Sequence, residues 1–166
     1  MLAACLFSGA AAANVVIATT RVIYPAEQTE VTVSLSNKGP HPSLVQVWID
    51  DDRPDVPVET LDVPFSMTPA LFRLDPDKGQ TLRLFQHAHD FPSDRESLFW
   101  LNVLDIPPAG ANGNALQLSV RSRIKLFYRP RDLPGTAQHA VSALTWNMVK
   151  RADAWVLEAR NPSRYY

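Results

Sequence analysis

Hydrophobic and polar residues alternate along most of the chain, with the two-residue period of half-buried β-strands. Residues 30–36 read EVTVSLS and residues 44–49 read LVQVWI, and both runs are rich in strand-forming residues. No segment before Arg129 carries the 3.6-residue period of an amphipathic helix. The predicted strands cover residues 15–17, 21–24, 30–36, 44–49, 65–67, 71–74, 81–85, 98–103 and 116–128.

Turn signals separate these strands at short intervals. The chain has 14 prolines against 6 glycines, which disfavours long helices and favours strands joined by stiff turns. About seven short strands of this kind predict an all-β, immunoglobulin-like β-sandwich over residues 14–130. Residues 131–135 are predicted to form a linker. Strand-like pieces at 143–149 and 154–159 then predict the first strands of a second, incomplete β-sandwich in residues 136–166.

The first thirteen residues, MLAACLFSGAAAA, form an apolar run that ends in small residues. This composition is typical of the rear part of a secretory signal peptide, so residues 1–13 are predicted to be removed on export. Cys5, the only cysteine of the chain, would leave with that signal. A mature chain without disulfides fits export to a bacterial periplasm.

Charge and motif content exclude several classes of function. Sixteen Lys and Arg against 17 Asp and Glu give a net charge of −1, which offers no case for binding nucleic acid or an anionic membrane. Nucleophile-elbow, dinucleotide-binding and P-loop patterns are absent from the sequence. His87 and His89 lack a third metal ligand at a suitable spacing, and residues 50–52, DDD, predict a solvated loop without calcium-ligand spacing. We therefore predict no enzyme activity, no metal and no cofactor.

The segment LQLSVRSRIKLFY, residues 116–128, is unusually long for one strand. Thirteen residues at ~3.3 Å each would span roughly 43 Å, about twice the usual strand length. One interpretation is an overhanging edge whose aliphatic side chains recruit a foreign strand. The other is a core strand bent by a bulge near Ser122, whose basic face is simply solvated. The alternation of residues alone does not choose between these two interpretations.

Residues 91–108, FPSDRESLFWLNVLDIPP, resemble the signature of periplasmic pilus-assembly chaperones, the PapD-like family. Three further segments are similar to that family and occur in its order, namely TRVIYP at 20–25, QVWI at 46–49 and RIKLFYRP at 123–130. The short loop over residues 109–114 resembles the subclass that assembles rod-like pili with adhesive tips.

The resemblance implies two immunoglobulin-like domains that bind, stabilise and cap pilus subunits by lending them a strand, and that deliver them to an outer-membrane usher. It also implies roles for single residues. Arg21 and Lys125 would anchor the subunit's C-terminal carboxylate. The donated side chains would be Leu116, Leu118 and Val120.

The same resemblance places Glu96 and Arg129 in an interdomain ion-pair network, whose third partner would lie beyond Tyr166. It implies a periplasmic protein without nucleic-acid partner, stable membrane insertion or cofactor. Two alternatives stay open. One is an extracytoplasmic structural or adhesion module whose long edge is paired, or capped, in a homodimer. The other is a truncated chaperone copy without function.

Overall fold

The computed structural model describes residues 14–109 and 117–166, and these contain eleven β-strands and one α-helix of four residues. The helix, α1, is Ala137–Ala140, and short 3₁₀ turns cover Val58–Thr60 and Val141–Ala143. The strands are β1 Val15–Ile17, β2 Arg21–Pro25, β3 Val31–Asn37, β4 Ser43–Asp50, β5 Phe65–Thr68, β6 Leu71–Leu74, β7 Gly79–Gln86, β8 Ser97–Ile106, β9 Val120–Arg129, β10 Thr145–Arg151 and β11 Ala154–Arg160.

Nine of these strands form a two-layer sandwich. One sheet has the order β1-β3-β7-β5, and the other has the order β2-β9-β8-β4-β6. The alternating residues of each strand bury one face between the layers, as in β4, where Val45, Val47 and Ile49 are buried. The core also takes in Tyr24, Leu82, Leu84, Leu101 and Leu126, each no more than 1% exposed. The predicted immunoglobulin-like sandwich is confirmed.

Strand β9 lies between β8 and β2 and has different partners on its two sides. It pairs antiparallel with β8 in unbroken register from Ser97↔Tyr128 to Asp105↔Val120. On its other side it pairs in parallel with β2, from Arg21↔Lys125 to Pro25↔Arg129. Because the register with β8 never slips, the bulge near Ser122 that the second interpretation assumed is not present.

The strand predicted at residues 116–128 is shorter in the structure, where β9 begins at Val120. Its partner β8 ends at Ile106, and Pro107 and Pro108 follow. Proline has no N–H to donate, so the ladder stops there although the alternation of β9 residues continues. Residues 117–119 have no strand partner in the described part of the chain. Leu116 lies outside the described residues.

Residues 131–166 leave the sandwich through a turn and then form the β10–β11 hairpin. Thr136 caps α1 by accepting a hydrogen bond from the His139 N–H at 3.3 Å. Strand β10 begins at Thr145 and not at the predicted residue 143, because Val141–Ala143 close a 3₁₀ turn. Within residues 14–109 and 117–166, none of the helices has the length and apolar character needed to cross a bilayer.

Candidate functional site

The first half of β9, Val120–Ile124, is an open edge. Lys125–Tyr128 have β8 on one side and β2 on the other, whereas Val120–Ile124 have β8 alone among the described residues. Backbone N–H and C=O groups that point away from β8 along this half are therefore available to another strand. The geometry agrees with the first of the two interpretations of this segment.

Arg21 and Lys125 lie side by side where the open edge ends. They are direct partners in the parallel register, so their side chains leave the same face of the sheet, on strands about 4.8 Å apart. Both residues are exposed. Neither has a carboxylate within 4.0 Å among the described residues. This cation pair, Arg21 and Lys125, is suited to bind a carboxylate by charge-assisted hydrogen bonds.

Aliphatic side chains extend along the core-side face of the same segment. Leu118 is 67% exposed and Val120 is 42% exposed, whereas Ile124 is half-buried and packs against the core. Leu118 and Val120 thus leave apolar surface in solvent beside unpaired backbone. Of the three side chains predicted to be donated, the structure places these two next to the open edge, and Leu116 is outside the described residues.

Arg121 and Arg123 lie on the outer face of β9, where the second interpretation of this segment expected a solvated basic face. Both side chains instead form hydrogen bonds within the sheet. Arg121 donates to the Asn102 Oδ1 at 2.8 and 2.9 Å and to the Pro54 carbonyl at 2.9 Å. Arg123 donates from Nη2 and Nε to the two carboxylate oxygens of Asp50, at 2.6 and 3.1 Å. Both guanidinium groups are therefore fixed against the neighbouring strands β8 and β4.

Asp50, predicted to lie in a solvated loop, is the last residue of β4 and is fully buried. Its carboxylate also accepts hydrogen bonds from Asn102 Nδ2 at 2.7 Å and from the Asp52 N–H at 2.8 Å. Burial pushes the pKa of Asp50 upward, but hydrogen bonds from Arg123 and Asn102 outweigh it and hold that pKa below its usual value. The prediction failed because Arg123, the partner that makes burial tolerable, is 73 residues away in sequence.

Glu96 and Arg129 form an ion pair at the other end of β9. The Arg129 Nε donates to Glu96 Oε1 at 2.7 Å, and the Glu96 side chain is only 1% exposed. The second oxygen, Oε2, accepts from the Tyr166 N–H at 2.8 Å, while the Glu96 N–H donates to the Arg164 carbonyl at 3.0 Å. The rings of Tyr166 and Phe127 stack with centroids 5.7 Å apart. Glu96 therefore joins β9 to the segment that follows the β10–β11 hairpin.

Two residues of the site, Asp50 and Asn102, were not predicted to be functional residues. The sequence held one signal for each of them. Asp50 continues the alternation of β4, and Asn102 lies within the signature of residues 91–108. Within residues 14–109 and 117–166, no group of three or more potential metal ligands occurs, so no such group includes His87 or His89.

Comparison with known proteins gives a consistent set of matches. The family described as "Pili and flagellar-assembly chaperone, PapD N-terminal domain" matches residues 14–134. The chaperone protein FimB/FhaD of Bordetella pertussis is 49% identical over 164 residues, which cover 95% of this chain and 66% of that protein. The probable fimbrial chaperone YadV of Escherichia coli is 43% identical over 166 residues, which cover 96% of this chain and 68% of that protein.

Solved structures agree with these sequence matches. The crystal structure of the YadV chaperone superposes with a TM-score of 0.77 at 44% identity, covering 92% of this chain and 69% of that one. The SafB chaperone of Salmonella enterica, solved in complex with the SafA pilin, gives a TM-score of 0.77 at 34% identity, covering 92% and 69%. The chain spans about two thirds of the length of these two relatives.

Proposed function

The chain belongs to the PapD N-terminal domain family of pili and flagellar-assembly chaperones, and from this membership we propose that it binds pilus subunits by strand addition along the open edge of β9. The family is one of chaperones and not of enzymes. The subunit would add its C-terminal strand to Val120–Ile124, and its terminal carboxylate would bind the cation pair.

One observation carries this proposal. Lys125 is the residue at which β9 gains its second partner, and Arg21 is the first residue of that partner. A strand added to the open edge therefore ends where two adjacent cations begin. A terminal carboxylate is the anionic group that a strand end supplies, so the position of the charge fixes the register of the added strand.

The aliphatic side chains beside the open edge would supply the binding energy. In the incomplete sandwich of a subunit, Leu116, Leu118 and Val120 would fill the groove that the missing strand leaves. Burial of three such side chains at about 1.5–3 kcal/mol each gives roughly 5–9 kcal/mol before ordering costs. No nucleotide or metal is needed, because the free energy comes from the subunit's own unfinished folding.

The remaining expectations become part of the same proposal. Residues 1–13 direct export to the periplasm, residues 14–130 are the subunit-binding domain, and residues 136–166 open a second domain after the linker at 131–135. Glu96 and Arg129 hold that second domain against the first. The loaded chaperone would pass its subunit to an outer-membrane usher. The ion pair at 2.7 Å between Glu96 and Arg129 and its contact with Tyr166 support this view of the joint.

The test is co-expression in a bacterial periplasm with a pilus subunit encoded nearby, followed by affinity capture of the chaperone. We expect a stoichiometric complex with the wild-type chain, and its loss in Lys125→Ala and in Arg21→Glu. Lys150→Ala is the matched control, because Lys150 is a lysine on β10, away from the open edge. Equal capture of the subunit by Lys125→Ala and Lys150→Ala would refute the anchor. A homodimer that excludes the subunit would favour the structural-module alternative.

A further inference from the structure

Four cations lie on the outer face of β9, namely Arg121, Arg123, Lys125 and Arg129, and among the described residues only Lys125 of these lacks a carboxylate within 4.0 Å. Arg121, Arg123 and Lys125 leave the same face because side chains of a strand repeat every second residue. Arg121 donates to Asn102 and lies 3.6 Å from a carboxylate oxygen of Asp50, whereas Arg123 donates to both oxygens of Asp50. Lys125 has no carboxylate partner in residues 14–109 and 117–166, and its Nζ lies 5.7 Å from the centroid of the Trp100 ring.

Arg123 would otherwise be a second anchor for a terminal carboxylate. It lies two residues before Lys125, about 6.6 Å along the strand. A slip of two residues keeps every side chain of an added strand on its original face, so the apolar pattern does not oppose it. The backbone ladder can also re-form after such a slip. Charge is therefore the main feature of β9 that separates the two registers.

The contacts of Asp50 remove that competition. Its two oxygens accept from two nitrogens of Arg123 at 2.6 and 3.1 Å, and the guanidinium lies 4.1 Å from the centroid of the Trp100 ring. A second carboxylate, Asp52, accepts from the same guanidinium at 3.2 Å. Arg123 is only 23% exposed, so its charge is directed into the sheet and away from the open edge.

We propose that Asp50 is a positioning residue that sets the register of the added strand, because it neutralises Arg123 and leaves the cation pair as the single anchor for a carboxylate. The inference rests on the proposed function and extends it to a residue that touches no part of the subunit. Asp50→Asn keeps the shape of the side chain and removes the buried charge that pairs with Arg123, which leaves that guanidinium only the exposed carboxylate of Asp52. The carboxylate then has two anchors, and some complexes form with the strand shifted by two residues.

Disulfide mapping in the complex co-expressed with a pilus subunit tests whether Asp50 sets the register of the added strand. Cys5, the only cysteine of the sequence, is predicted to leave with the signal peptide, so Ser122→Cys places the one thiol of the mature chain beside the open edge. Single cysteines are then scanned through the last strand of the subunit. A strand that ends at Lys125 runs parallel to β9. In the wild-type register one subunit position cross-links. In Asp50→Asn we expect a second product two residues nearer the subunit's C-terminus.

Two further variants separate a freed charge from a loosened strand. The double variant Asp50→Asn, Arg123→Gln pairs two amides in place of the two charges and should restore the single wild-type product. Asp51→Asn is the matched control, because Asp51 pairs with exposed Arg53 and should leave the map unchanged. An Asp50→Asn map identical to wild type, or a shifted product that persists in the double variant, would overturn the proposal.

Lys125→Ala gives a test that leaves the buried network intact. With Asp50 in place, Arg123 is not available, so we expect loss of the wild-type product without a shifted one. A shifted product in Lys125→Ala would overturn the role of Asp50 while leaving the carboxylate anchor in place. An unchanged wild-type product would instead refute the anchor itself, and with it the proposed function.

Discussion

The two halves of β9 share one backbone and one neighbour, β8, but differ in how they are held. Lys125–Tyr128 are paired on both sides and include the buried residues Leu126 and Phe127, whereas the open edge is paired on one side. One buried carboxylate holds each half: Glu96 accepts from Arg129 in the doubly paired half, and Asp50 accepts from Arg123 in the open edge. An edge can therefore stay open to a partner without fraying, provided that its outward side chains are fixed elsewhere in the sheet.

The largest effect on stability is expected from shortening a core side chain in the doubly paired half of β9. Leu126→Ala removes a fully buried side chain and should lower the free energy of unfolding by about 2–5 kcal/mol in urea titrations. Leu118→Ser changes an exposed side chain and should alter that free energy by no more than about 0.5 kcal/mol. It should nevertheless reduce capture of the pilus subunit. Equal destabilisation by both changes would contradict the contrast between the doubly paired half and the exposed segment that leads into the open edge.

A smaller effect is expected at the doubly paired end. Glu96→Gln removes the negative charge that pairs with Arg129 and turns one of the two accepting oxygens into an amide donor, and we expect a loss of about 1.5–3 kcal/mol in the free energy of unfolding. Hydrogen exchange should also quicken at the Tyr166 amide, which donates to the same carboxylate. Asp75→Asn, at an exposed ion pair with Arg73, is the control and should leave the Tyr166 amide unchanged.

The smallest expected effect is the contribution of Asp50 to the loss of stability at low pH. Its pKa is lower in the folded chain than in the unfolded one, so its ionised form contributes stability that is fully present above the unfolded value of about 3.9. That contribution is lost as the pH falls through the lower folded-state pKa. In urea titrations from pH 6 to pH 3, Asp50→Asn should therefore lose less stability than the wild type. Glu59→Gln, at an exposed carboxylate, should follow the wild-type curve.

The sequence predicted most of the fold because alternation is a local property. Strands such as β4 and β7 bury the alternating residues that their patterns indicate. The limits of β9 were not predictable in this way, because they depend on where β8 ends and where β2 begins. The burial of Asp50 could not be predicted from the sequence either, because nothing in a run of three acidic residues indicates that one of them pairs with an arginine far along the chain.

The site was predicted in a different manner. Arg21 and Lys125 were chosen by resemblance to a family, and residue spacing alone would not have paired them. Their adjacency follows from a parallel pairing between strands about a hundred residues apart in sequence, a contact that periodicity does not encode. The groups that can bind a ligand at this site are therefore determined by the strand topology, which places residues distant in sequence next to each other.

The first two strands have a mechanical consequence. β1 pairs with β3 in one sheet and β2 pairs with β9 in the other, with only Ala18–Thr20 between them. The Ala18 N–H also donates to the Ser34 carbonyl at 3.0 Å. A pull on the Arg21 side chain is therefore transmitted within a few residues to the hydrogen-bonded ladders of both layers. A load applied at the anchor is shared by the whole sandwich and not carried by one edge strand.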